Sequence, residues 1–178
     1  MFIPGIVITV LTFPGVMVHE FAHKLACHWT GTPVIKVCYF RFDNPAGYVI
    51  HEEPDNIWKH ILIGIGPFFV NTFLGLLLSL ALGLTAQLPG ESLNGLFIIG
   101  SWLALSIAMH AFPSVGDAMS IWSAVWQKGT PIAAKLVGTP LVGIIFLGAF
   151  GSVFWLDLIY GMFVVFGLPS ILRSILFS

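Results

Sequence analysis

Four long apolar runs, roughly Ile3 to Cys27, Ile57 to Leu88, Leu93 to Phe112 and Lys135 to the C-terminus, leave this 178-residue chain few ways to fold. A bilayer core takes about 20 apolar residues per helix. Backbone polar groups in hydrocarbon must be paired internally, so each run is expected as helix. An ordinary soluble domain is excluded by composition: 57% of residues are hydrophobic, 8% are charged, and the mean hydropathy is +0.97. The expected fold is an all-α polytopic membrane protein of four or five transmembrane helices, a single membrane-embedded unit over residues 1–178. Its core helices fall at about 3–28, 57–88 and 93–113, with a C-terminal helical region at about 132–176. The last run is too long for one crossing. It makes either one extended helix with an interfacial tail or two short spans turning near Trp155-Leu156-Asp157.

The first run carries no basic stretch at its start and is expected to stay in the mature chain rather than be removed as a signal peptide. Thr30-Gly31-Thr32-Pro33 ends it. Val34 to Phe42 is then rich in β-branched and aromatic residues, Asp43-Asn44-Pro45-Ala46-Gly47 is a turn cluster, and Tyr48 to His51 can return as a second strand. A small β-hairpin is therefore expected at about 34–52, beside the first helix. It serves either as a plain connection or as an edge to which an extended peptide adds.

Within the first run stands His19-Glu20-Phe21-Ala22-His23, the pattern H-E-x-x-H. On a helix the two histidines fall at i and i+4 on one face, where both imidazoles can bind one metal ion, with Glu20 beside it. Ionisable groups at membrane depth are costly unless they face a protein interior or a water-filled cavity, so a functional role is the default reading. A zinc site on two histidines needs a third protein ligand and an open position. Of the eight acidic residues, Asp43, Glu52, Glu53 and Asp55 lie in a polar loop, Glu91 lies in the opposite connection, and Asp157 is far along the last run. Asp117 remains, after Pro113 and Gly116 have broken the third helix. The expected metal ligands are His19, His23 and Asp117, holding one Zn2+ per chain, with Glu20 as catalytic base.

Two further polar residues have open roles. Asn71, one turn after Gly66-Pro67, either ties helices by a hydrogen bond or points at the site as an oxyanion donor. His110 is either a hydrogen-bonded core histidine or an auxiliary group in the site. Cys27 and Cys38 are too few for a disulfide framework, and Cys27 is expected as a small buried hydrophobe. Lys24, Lys36, Arg41 and Lys59 surround the first connection, and Lys128 and Lys135 the third, while 87–92 has no basic residue. The end of the metal helix and the Asp117 region are thus expected on the cytoplasmic side. A net charge of −1 and no basic stripe argue against nucleic acid as a partner. The expected partners are a membrane protein or peptide substrate and the lipid bilayer of the cell (plasma) membrane. The oligomeric state is left open.

These motifs resemble those of the site-2 proteases, intramembrane zinc metalloproteases. His19 to Cys27 with Thr30-Gly31-Thr32-Pro33-Val34 is similar to the family's first motif, Gly66-Pro67 with Asn71 to its second, and His110, Pro113 and Asp117 to its third. The likeness extends to about Ala118. Ala22, His110 and Ala118 stand where the family usually has glycine, asparagine and glycine, which marks a divergent member. The resemblance implies cleavage of transmembrane or membrane-proximal segments of substrate proteins. The alternative is a non-catalytic zinc-binding membrane protein derived from such a protease.

Overall fold

The computed structural model describes residues 5–85 and 95–176. The expected connection 87–92, with Glu91, and the outer ends of the helices expected at 3–28, 57–88 and 93–113 (residues 3–4, 86–88 and 93–94) lie outside the described residues. The described chain is mostly helical with one two-stranded sheet. Three helical stretches are long and apolar enough to cross a membrane: Ile57–Gly83, Ile132–Phe154 and Leu156–Ile175. A bent pair at the start makes up to four. These are the marks of a multi-pass helical membrane protein, with three to four candidate spans among the described residues.

The first run is not the single helix expected. α1 (Gly5–Leu11) and α2 (Phe13–Thr30) meet at an 83° bend. Pro14, in the first turn of α2, has no amide to carry the hydrogen-bond ladder across the junction, and its fixed φ suits the start of a new helix. α2 buries Gly15, Val16, His19, Glu20, Ala22, His23, Ala26 and Cys27, the i, i+3, i+4 stripe that a helix packed on one side requires. It stops at Gly31, whose φ of 70° lies in the left-handed region that favours glycine, and the Thr32 amide closes the end on the Cys27 carbonyl at 2.8 Å.

Strands β1 (Val34–Cys38) and β2 (Tyr48–His51) form an antiparallel hairpin, pairing Val34 with His51 and Cys38 with Tyr48. β1 ends four residues earlier than its β-rich composition suggested: Tyr39 to Phe42 lie outside the ladder, and the Arg41 amide bonds the Ala46 carbonyl within the loop. Cys27 is fully buried against Ala26, Ile63 and Val34.

α3 (Ile57–Thr85) runs through Pro67 without interruption, and α4 (Gly95–Met109) packs along it. α5 (Val115–Val125) leaves the site again and is followed by α6 (Ile132–Gly151). One apolar cluster joins α3, α5 and α6 through Ile61, Ala118, Ile121, Val125, Val142 and Ile145. The last run breaks at Trp155, which has φ 63° after a 3-10 turn (Ser152–Phe154), so it is two helical stretches rather than one extended helix. The second comprises α7 (Leu156–Met162), a π turn (Phe163–Gly167) and α8 (Leu168–Leu176). It lies against α3 and α4 through Ala104, Ala108, Val164 and Val165, and Thr72 and Tyr160 share a hydrogen bond of 2.7 Å.

Candidate metal centre

His19 and His23 lie one turn apart on the buried stripe of α2, and each points a ring nitrogen at a backbone carbonyl. His19 Nδ1 is 2.8 Å from the His110 carbonyl oxygen, and His23 Nδ1 is 2.8 Å from that of Ile63. A carbonyl only accepts, so each ring carries a proton on Nδ1. The two Nε2 atoms stand 3.2 Å apart. Asp117 brings Oδ1 to 3.2 Å from His23 Nε2 and Oδ2 to 3.7 Å from His19 Nε2.

With both rings neutral, each presents an Nε2 lone pair, and three electron-pair donors converge here, an arrangement that a cation stabilises. Two ligands about 2.0–2.1 Å from a tetrahedral zinc lie about 3.3–3.4 Å apart, close to the 3.2 Å between the two Nε2 atoms and between His23 Nε2 and Asp117 Oδ1. The donor set, two imidazoles and one carboxylate, is that of a catalytic zinc site with a position left open. Among the described residues this is the one group of three or more His, Cys, Asp or Glu side chains close enough to share an ion.

Asp117 is held from behind by Ser114, whose backbone N–H and hydroxyl both donate to Oδ2 at 2.7 Å, while the Asp117 amide donates to Ser114 Oγ at 3.1 Å. This reciprocal cap starts α5. Ser114 is a residue the expected site lacked, although its signal, Ser-x-x-Asp, was present.

Glu20 is buried and lines a cavity of about 600 Å³ together with His19, His23 and Asp117. The hairpin turn closes over it. A Cβ at Gly47 would stand 2.6 Å from Glu20 Cγ and 2.9 Å from Oε1, so only glycine lets the turn approach this closely.

The two open roles divide. Asn71 is fully buried, and its Nδ2 donates to the carbonyls of Gly15 (3.3 Å), Ile107 (3.1 Å) and His110 (3.2 Å), which is the geometry of an interhelical tie. His110 lines the cavity, and its Nδ1 donates to Ser106 at 2.9 Å. The Asn71 tie and His19 Nδ1 meet on one oxygen, the His110 carbonyl. Asp157, set aside as a ligand on sequence distance, also lines the cavity, from the start of α7.

The fold and site together define a helical membrane protein with a zincin-type metal helix. The chain belongs to the family described as "putative zincin peptidase", whose model matches residues 12–132. That description points to zinc-dependent peptidases. No curated protein and no solved structure matches the chain.

Proposed function

We propose that this protein is an intramembrane zinc endopeptidase of the site-2 protease kind, hydrolysing peptide bonds in or near transmembrane segments of membrane-protein substrates. One zinc per chain would be held by His19, His23 and Asp117, in a multi-pass protein of the cell membrane. The observation that carries this reading is the convergence of those three donors on the cavity that Glu20 also lines.

Depth supports the intramembrane part. His23 precedes the end of α2 by seven residues, and Ile63 follows the start of α3 by six, so the site lies about 10 Å inside both helix ends. Exposed Trp29 and Trp58 mark those ends, as aromatic side chains do at a membrane surface.

When bound, zinc polarises the scissile carbonyl and makes its coordinated water acidic enough to react near neutral pH. Glu20 is the general base: its carboxylate takes a proton from the attacking water and delivers it to the leaving amine nitrogen. Ser114 holds the Asp117 carboxyl, and Asn71 holds the carbonyl that orients His19. His110, donating at Nδ1 to Ser106, supplies a hydrogen bond to an oxyanion only when its Nε2 is protonated. A helical substrate hides its carbonyls and must be drawn out before it is cut, and the hairpin above Glu20 is the element that holds the extended piece.

The test is the zinc content of purified protein and cleavage of membrane-spanning substrates by wild type and Glu20→Gln. Stoichiometric zinc in both, with cleavage by wild type alone, supports the reading. Zinc in both with no cleavage of any membrane substrate marks the non-catalytic alternative.

A further inference from the structure

In a helix, the carbonyl of residue i accepts from the amide of residue i+4. The Ile63 carbonyl would therefore take the amide of residue 67, but residue 67 is proline, which has none, and α3 continues through it regardless. The oxygen thus left over is the one that His23 Nδ1 meets at 2.8 Å. The same logic holds for the other imidazole. His19 Nδ1 uses the His110 carbonyl, which lies just past the end of α4, where regular helical bonding has ceased. Both rings point at carbonyls that lack the helical amide donor a regular helix would give them.

We infer that Pro67 is a positioning residue for the metal centre. By withholding an amide, it reserves the Ile63 carbonyl for His23, fixing that ring with its proton on Nδ1 and its Nε2 toward the ion. The inference rests on the zinc reading above and deepens it. Pro67 lies on α3, is fully buried and is absent from the cavity lining, so it acts through His23 and touches no substrate. The structural alternative is that Pro67 matters only as buried volume between helices.

The two are separated by changing the amide while holding the side chain constant. Pro67→Ala restores an N–H that competes with His23 for the Ile63 carbonyl. Replacing Pro67 with lactic acid, by incorporating the α-hydroxy acid at that codon, carries the same methyl group but an ester oxygen in place of the N–H. Zinc affinity of the purified full-length protein is measured by competition with a chelator, and the ligand field is read from the visible spectrum of the cobalt-substituted form. The expected result is that Pro67→Ala loses about 10- to 100-fold in zinc affinity, the range for outer partners of metal-bound histidines. Its cobalt spectrum shifts, and the lactic acid variant keeps the affinity and spectrum of wild type. Equal affinities in the alanine and lactic acid variants would overturn the inference, whether both match wild type or both fall. A wild-type protein that binds no zinc would instead bring down the zinc reading itself, and the inference with it.

Discussion

The helices that carry the metal ligands and the helices after Pro131 are held by different means. In the first region, polar side chains reach across to backbone. Asn71 grips three carbonyls, Ser106 Oγ donates to the Thr12 carbonyl at 2.8 Å and accepts from the Gly15 amide at 2.9 Å, and each imidazole has its own carbonyl. In the second, Val142, Ile145, Val164 and Val165 pack as apolar bodies, alongside polar links such as Thr72 to Tyr160 and Ser79 to the Val165 carbonyl. Apolar contact in a bilayer tolerates small slides, because lipid tails are as apolar as the helix surface. Hydrogen bonds to fixed carbonyls do not. The polar region is built to keep positions to a fraction of an ångström, and the apolar region to cover it.

Substitutions can break or sharpen that contrast. The largest effect is expected from Glu20→Gln, which should lower hydrolysis by about 10²- to 10⁴-fold while zinc analysis finds the ion still bound. Asn71→Ala comes next. It removes one donor from three buried carbonyls that keep other partners, and should cost about 1–2 kcal/mol in denaturant-monitored stability, together with a measurable loss of zinc affinity. Val142→Ala, on the apolar side, should cost about 1–2 kcal/mol and leave zinc affinity alone. If it loosened zinc as Asn71→Ala does, the division between the regions would fail. The smallest stability effect belongs to Ser114→Ala, about 1 kcal/mol for the lost cap, yet it should weaken zinc binding about tenfold in a chelator competition.

Much of the polar region was legible in the chain itself. The i, i+4 spacing of His19 and His23 needs only a helix to bring them together, and Asp117 was reachable because the other carboxylates fell in loops or at remote positions. The hairpin announced itself through Val34 to Cys38, the turn cluster and Tyr48 to His51. What stayed hidden depends on backbone groups that all residues share. No composition reveals that the Ile63 and His110 carbonyls face the two imidazoles, since their availability follows from how α3 and α4 dock on α2. The bend at Thr12 was missed because an apolar run reads the same whether straight or folded at 83°. Asp157 was set aside by counting residues, and only packing brought the start of α7 to the cavity wall.

The reciprocal cap between Ser114 and Asp117 ties two properties that most proteins keep apart. A single carboxyl group secures the opening turn of α5 and faces the imidazole pair, so on the zinc reading proposed above a bound ion would add to the order of that turn. Removal of the ion by a chelator is then expected to speed amide exchange at Val115 to Ala118, which hydrogen-exchange measurement on the purified protein with and without zinc would read.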